Sequence, residues 1–149
     1  MRLEGRVFKS GSYWAIEAPM LHVVSQGRTK AEAYEMIADA IESLVNKEGF
    51  EVQVYPAKGE CFEIGASDEA ALIAFLLRQA RTHSGLSLAQ VAKQLGAKSL
   101  NAFARYEQGR SSPTMQKFLD LLSAVTHGGG FVLRPSHSAA RPIGNRRPR

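Results

Sequence analysis

The sequence predicts an α+β protein in which a mixed N-terminal domain of order β-β-β-α-β precedes an all-α domain. Through much of residues 1–66 apolar side chains alternate with polar ones, whereas from residue 67 they recur at helical spacing between short polar turns. The charge changes at the same point. Residues 1–66 carry seven Lys or Arg against ten Asp or Glu, a net −3, and residues 67–149 carry twelve against four, a net +8. Such a division favours a polyanion as the partner of the second half and a basic protein as the partner of the first.

The N-terminal strands are predicted from period-2 alternation. Two β-prone runs flank residues 10–11 and predict a hairpin, and the second run alternates around Trp14 and Ile16. A third short run, residues 22–25, ends at Gln26 and Gly27, where glycine permits a turn. These three runs account for the first three strands.

A helix is predicted next, because Thr29 and Glu32 have the spacing of a capping box and apolar residues then recur at helical spacing. We expect about 18–20 residues of helix, ending near Gly49. Residues 50–55 then alternate as a fourth strand that Pro56 ends, and residues 61–64 are a candidate for one more strand beside it. The helix residues expected to face the core are Ala33, Ile37, Ala40, Ile41 and Leu44.

Four short helices are predicted after residue 66, and the glycine that ends the second indicates a helix-turn-helix module. Their expected limits are Ser67 to about His83, Leu88 to Leu95 behind a Ser87/Gln90 capping box and before Gly96, about Ser99 to Glu107, and a last helix opened by Ser112 and Pro113. The residues expected to face inward are Leu72, Phe75, Leu76 and Gln79, then Val91, Ala92 and Leu95, and finally Met115, Phe118, Leu119, Leu122 and Val125.

The third of these helices carries the candidate DNA-binding face. Leu100, Phe103 and Tyr106 are expected to anchor it, while the opposite stripe holds an Asn, an Arg and a small Ala. Asn can bond adenine and Arg can bond guanine through two hydrogen bonds each, which suits a helix in the major groove. Gln90, Lys93 and Arg110 are expected to contact phosphates. The complete predicted set is Gln90, Lys93, Lys98, Ser99, Asn101, Ala102, Arg105 and Arg110; the alternative is a solvated polar face.

The end of the chain, residues 127–149, is predicted to hold a short strand at residues 131–133 and then a basic Pro/Arg-rich tail. A lone strand needs a partner, so this one could pair across a dimer. The arginines either add nonspecific affinity for phosphates or belong to a disordered solubilising tail.

Catalysis is not expected. A metal-dependent nuclease needs clustered carboxylates, and the available acids are Glu32, Glu35, Asp39 and Glu42 on one helix with Glu17 on a strand. We interpret them as solvated residues or as a face for a basic partner. The sequence contains no P-loop, no G-x-S-x-G and no spaced His/Cys set, so we predict no metal, cofactor or catalytic residues. Without a long apolar run, a leader or a second cysteine, the expectation is a cytoplasmic protein that does not span a membrane.

Two stretches resemble known families. "LSLAQVAKQLGAKSLNAFARYEQGRSSPT" resembles the Cro/repressor-type helix-turn-helix, with Ala92 at the close helix contact and Gly96 at the turn. "SYWAIEAPMLHVVSQGRTKAEAYEMIADAIESLV" resembles the HicB antitoxin domain, in which a strand ending in Pro precedes a short strand, a (S/T)QG turn and a helix beginning T-x-x-E-A. Together they cover roughly residues 5–125. The resemblance implies a partial ribonuclease-H-like domain that blocks a HicA-type toxin, a small mRNA interferase, and a second module that represses the operon.

The sequence therefore predicts a toxin-binding domain at residues 1–66, a DNA-binding domain at 67–126 and a tail at 127–149. The expected partners are a HicA-like toxin and operator DNA, with the chain acting as a homodimer or tetramer because one helix-turn-helix reads few bases. No residue is assigned to toxin binding. The alternative is a stand-alone repressor whose N-terminal domain binds another protein or a small ligand.

Overall fold

A computed structural model of the chain describes residues 1–97, 99, 101–126, 130–136 and 141–143. The strands are β1 (Leu3–Ser10), β2 (Tyr13–Ala18), β3 (Val23–Gly27), β4 (Val52–Pro56) and β5 (Cys61–Ala66), and the helices are α1 (Lys30–Val45), α2 (Glu69–His83), α3 (Leu88–Gln94), α4 (Asn101–Glu107) and α5 (Met115–Val125). A 3₁₀ turn, Pro19–Leu21, links β2 to β3. In the described part of the chain, every helix is too short or too polar to cross a bilayer.

The chain forms two compact units. The sheet unit comprises Met1–Glu69 and the described residues from Arg134 onward, and the helical unit comprises Ala70–Leu133. The helical unit is thus inserted between two parts of the sheet unit. The unit limits fall at 69/70 and 133/134, compared with 66/67 and 126/127 in the division made from sequence.

The sheet has five strands in the order β3-β2-β1-β5-β4, and each neighbouring pair is antiparallel. The predicted hairpin is confirmed, with Ser10 opposite Tyr13 across a two-residue turn in which Gly11 has a φ of +60°. The candidate fifth strand is also confirmed, and it pairs with both β4 and β1. Helix α1 connects one edge of the sheet to the other.

One face of the sheet packs against α1 and forms the core of this unit. Val7, Ile16 and Phe62 are buried on this face, and the Phe62 ring meets Tyr34 of α1 edge-on. Glycine is needed where the helix approaches most closely, because a Cβ at Gly27 would lie 2.4 Å from the backbone nitrogen of Ala33. The opposite side of the sheet, here called the outer face, carries Glu4, Arg6, Glu17, Tyr55 and Glu63.

Helix α1 starts as expected and ends earlier. The Thr29 hydroxyl accepts a hydrogen bond from the Glu32 N–H at 3.1 Å, while the Glu32 carboxylate accepts from the Arg28 N–H, one residue before the position of a regular capping box. The predicted end near Gly49 is wrong, since Asn46 in the left-handed conformation ends the helix after Val45. The buried stripe is Ala33, Tyr34, Ile37, Ala38 and Ile41; Ala40 is half-buried and Leu44 is exposed.

In the helical unit, α2 is buried on most of its circumference from Ala71 to Ala80. The predicted start of α5 is wrong. Thr114 caps the N-terminus of the helix, so Pro113 precedes the helix and does not occupy its first turn. Met115 was expected to face the core but is 61% exposed. Leu121, which was not among the predicted inward residues, is fully buried. Gln79 of α2 was expected to face inward and is only half-buried.

Residues 131–133 form neither helix nor strand within this chain, which corrects the predicted short strand.

Tyr34 provides a test of this packing. Its ring is buried against Phe62, but its hydroxyl has no hydrogen-bond partner among the described residues. A buried hydroxyl without a partner costs free energy, so we expect Tyr34→Phe to raise the free energy of unfolding by about 1 kcal/mol. Denaturant unfolding at neutral pH measures this change. A lower free energy of unfolding in the variant would contradict the claim that the Tyr34 hydroxyl has no hydrogen-bond partner.

The same variant has a pH signature. Burial raises the pKa of Tyr34 above its ordinary value of 10.0, so the unfolded chain loses this proton before the folded chain does. The free energy of unfolding therefore falls as the pH rises above 10, and Tyr34→Phe lacks that contribution. The advantage of the variant over wild type should widen between neutral and alkaline pH.

Candidate nucleic-acid interface

Helix α3 is fixed by local bonds at both ends. Ser87 and Gln90 form the predicted capping box: the Ser87 hydroxyl accepts from the Gln90 N–H at 3.2 Å, and the Gln90 side-chain oxygen accepts from the Ser87 N–H at 2.8 Å. At the other end Gly96 has a φ of +61°, and the Ala97 N–H donates to the Ala92 carbonyl at 2.9 Å. This Schellman arrangement stops α3 and begins the turn that leads to α4.

Helix α4 is held in the same way. The Ser99 hydroxyl accepts a hydrogen bond from the Asn101 N–H at 3.2 Å, and the Ser99 carbonyl accepts one from the Ala102 N–H at 3.1 Å. Ser99 therefore satisfies two backbone donors at the start of α4. Gly109 has a φ of +68°, and the Arg110 N–H donates to the Arg105 carbonyl at 2.9 Å. The C-terminal loop is therefore bonded to α4, and the backbones of Arg105 and Arg110 stay together.

The buried residues of α4 determine which side faces outward. Phe103, Ala104 and Glu107 are buried, and Asn101 and Arg105 are exposed one turn apart. The expected core position of Tyr106 is wrong, because it is only half-buried while Glu107 lies inside. Steps of three residues drift by about 60° per step around a helix with 3.6 residues per turn, so a strict three-residue stripe leaves the core.

An ion pair of low exposure reinforces this orientation. Arg81 at the end of α2 donates from Nε to one oxygen of Glu107 at 2.7 Å and from Nη2 to the other at 3.2 Å. Its remaining nitrogen, Nη1, donates to the Leu86 carbonyl at 3.0 Å. The two side chains are 19% and 7% exposed. One guanidinium thus joins α2, the loop before α3 and the end of α4 through bidentate geometry.

The predicted contact residues lie largely at the surface. Gln90, Lys93, Ser99, Asn101, Arg105 and Arg110 are exposed, and Ala102 is half-buried. The oxygen of Gln90 is used in the capping box, so the amide nitrogen is the group that it offers as a donor to a phosphate. Lys98 and the predicted anchor Leu100 lie outside the described residues. Sequence reasoning missed the Arg81–Glu107 pair, for which the only local signal was an acid following Tyr106.

The acids considered for a nuclease site lie on opposite sides of the sheet unit. Glu17 is on the outer face and pairs with Arg6, whose nitrogen lies 3.8 Å from its carboxylate. Helix α1, with the other four acids, covers the opposite face. Two of these acids bind the backbone: Glu32 accepts from Arg28, and Glu42 accepts from the Val52 N–H at 2.8 Å. Among the described residues, no group of three His, Cys, Asp or Glu side chains is arranged to hold a metal ion.

Comparison with known families agrees with the geometry of the helical unit. Residues 72–126 match the family model of a helix-turn-helix domain. This part of the chain is a helix-turn-helix domain, with α3 and α4 as its helix pair. Comparisons with curated proteins and with solved structures returned no significant match. DNA binding and a role in the regulation of transcription follow from this domain.

The Arg81–Glu107 pair can be tested by removing one partner. Arg81→Leu removes the cation that pairs with the Glu107 carboxylate, which is largely shielded from solvent. We therefore expect the free energy of unfolding to fall by about 3 kcal/mol. Chemical denaturation followed by circular dichroism measures the loss. Arg105→Ala, which removes an exposed arginine from the same unit, is the matched control and should change stability by less than about 0.5 kcal/mol. Equal effects of the two variants would show that the ion pair does not stabilise the domain.

Proposed function

We propose that this protein is an antitoxin and autorepressor: its helix-turn-helix domain binds operator DNA, and its sheet unit binds and neutralises a HicA-like mRNA interferase. The observation that carries the DNA-binding part is the exposed face of α4 within the matched domain, where Asn101 and Arg105 lie one turn apart. We propose a binding protein without catalytic activity of its own, acting in the cytoplasm.

The proposed contacts divide into two classes. Asn101 and Arg105 are proposed to bond base edges in the major groove, because Asn suits adenine and Arg suits guanine. Lys98 belongs to the same proposed face on sequence grounds, and Ala102 allows the helix to approach the bases closely. Gln90, Lys93, Ser99 and Arg110 are proposed to contact phosphates, which fix the position of the helix on the duplex without reading its sequence.

A homodimer or tetramer is part of this proposal. One recognition helix of seven residues contacts few base pairs, and two copies reading half-sites about 34–36 Å apart would supply the remaining specificity. The operator is therefore expected to be palindromic or nearly so.

The toxin-binding part draws its support from the sheet unit. Residues 12–45 resemble the HicB antitoxin domain, and the order of a three-strand meander, a helix and a further strand is present in the structure. The partial ribonuclease-H-like assignment belongs to this proposal as well. Residues 1–66 carry a net charge of −3, which suits a basic toxin and would speed encounter more than it would tighten binding.

A stand-alone repressor remains the second candidate. The family match covers the helix-turn-helix domain alone, so DNA binding is equally consistent with a sheet unit that binds another protein or a small ligand. Growth rescue separates the two candidates, because only an antitoxin relieves the effect of a toxin.

Alanine substitution tests the DNA-binding face. We expect Asn101→Ala with Arg105→Ala to weaken binding to the DNA upstream of the coding sequence by about thirtyfold or more, since each base contact contributes about 1–3 kcal/mol. Lys93→Ala should weaken binding to all duplexes alike and lower the dependence of log K on log salt by about one unit. Fluorescence anisotropy at several salt concentrations measures both effects.

The control for these variants is Arg28→Ala, which removes an exposed arginine from the sheet unit and should leave DNA affinity unchanged. If the double variant bound the operator as tightly as wild type, the exposed side of α4 would not be the reading face.

Co-expression tests the antitoxin role. The product of an adjacent short, basic reading frame should arrest growth alone and should be captured and neutralised by the wild-type chain. Asn101→Ala with Arg105→Ala should neutralise it equally well, because the altered side chains belong to the helical unit. Failure of the wild-type chain to restore growth would favour the stand-alone repressor, and loss of rescue in a folded double variant would contradict separate sites for the two partners.

A further inference from the structure

The centre of the outer face holds two carboxylates side by side. Glu4 on β1 lies directly opposite Glu63 on β5 in the antiparallel register, and these are neighbouring strands in the middle of the sheet. Like charges at directly opposed positions destabilise a sheet. Glu63 is buried as well, so this pair requires cations or hydrogen-bond donors close by.

One cation comes from the first residues of the chain. Arg2 donates from Nη1 to Glu63 at 3.1 Å, and its guanidinium carbon lies 3.5 Å from the centre of the Tyr55 ring. This stacking holds the Arg2 side chain flat over the sheet beside Glu63. Arg2 therefore compensates the charge of the buried Glu63 carboxylate.

The other donors come from the far end of the sequence. Arg134 forms an ion pair with Glu4, and the Ser136 hydroxyl donates to Glu63 while accepting from Arg2 Nη1 at 2.8 Å. Further along, the Ile143 N–H donates to the Val54 carbonyl at 2.8 Å and forms an antiparallel bridge with edge strand β4. Residues 134–136 and 141–143, here called the strap, thus supply a cation, a hydroxyl and a backbone donor to the sheet unit.

We propose that the Glu4–Glu63 pair is a docking site for a basic, extended polypeptide, and that its resident occupant is this chain's own strap, held in cis. The chemistry of the occupant matches the site: an arginine for the exposed acid, a hydroxyl for the buried acid and an extended backbone for the strand edge. The strap belongs to the sheet unit, although it follows the helical unit in the sequence.

The strap is also weakly held and can be displaced. The Arg134 and Glu4 side chains are 35% and 50% exposed, and Ile143 is 45% exposed. Exposed ion pairs contribute little because water and salt screen them. The strap therefore opens locally while the five-stranded sheet remains folded, as expected for an element that has few buried contacts.

A charge swap in the full-length chain tests the docking site. In Arg134→Glu and in Glu4→Arg, the strap and the sheet carry like charges at the Arg134–Glu4 contact, so amide exchange at Ile143 should become about fivefold faster. The double variant Glu4→Arg/Arg134→Glu restores opposite charges and should return exchange to within about twofold of wild type. Hydrogen exchange followed by NMR measures the Ile143 amide directly, and exchange at Val7 of β1 reports whether the sheet stays intact.

The controls are Glu48→Arg and Arg28→Glu, which make the same charge changes at exposed positions away from the Glu4–Glu63 pair and should leave Ile143 exchange unchanged. Unchanged exchange in both single variants would overturn the docking site. Restored protection in a mixture of the two single variants, absent from either alone and dependent on concentration, would show that the strap docks on a second copy and would overturn its placement in cis. Restoration in the double variant at every concentration supports the site and its occupant.

Discussion

The orientation of α4 about its own axis is the constraint on which the DNA-binding face depends. Phe103 and Ala104 set it through burial, and the Arg81–Glu107 ion pair sets it from the end of α2. A rotation of α4 that exposed Glu107 would bury Arg105 and break a bidentate bond of low exposure at the same time. Glycines at positions 96 and 109 end α3 and α4 at defined points, so the helix pair is fixed by backbone bonds as well as by packing.

In the sheet unit, the main electrostatic constraint is the repulsion between two carboxylates on neighbouring strands. Its core face is closed by α1, whereas its outer face brings Glu4 and Glu63 together in register. Arg2 and the strap balance these charges from the two ends of the sequence. The sheet unit, residues 1–69 and 134–149, carries twelve Lys or Arg against twelve Asp or Glu, whereas the helical unit, residues 70–133, carries seven against two, a net +5. The surplus of positive charge therefore belongs to the helical unit, which suits a polyanion as the partner of that unit.

Local signals in the sequence predicted much of this architecture. The Ser87/Gln90 capping box, the stop at Gly96 and the first hairpin need only a few neighbouring residues, and all three are present. Errors occurred where tertiary packing decides between similar local choices, as with Glu107 in place of Tyr106. Contacts distant in sequence left no signal: the Arg81–Glu107 and Arg134–Glu4 pairs span 26 and 130 residues, so no periodicity or capping rule could reveal them. Six of the eight predicted contact residues are exposed in the structure, while their contacts with DNA stay a prediction.

NMR of the ¹⁵N-labelled full-length chain, titrated with its upstream duplex, tests the central claim most directly. If the exposed side of α4 reads the bases, the largest shift changes fall on Asn101 and Arg105, with smaller changes at Gln90, Lys93 and Arg110. Amides of β1 and β5 should move little. Saturable changes confined to the sheet unit, with α4 unperturbed at full occupancy, would contradict the assignment of this face to DNA.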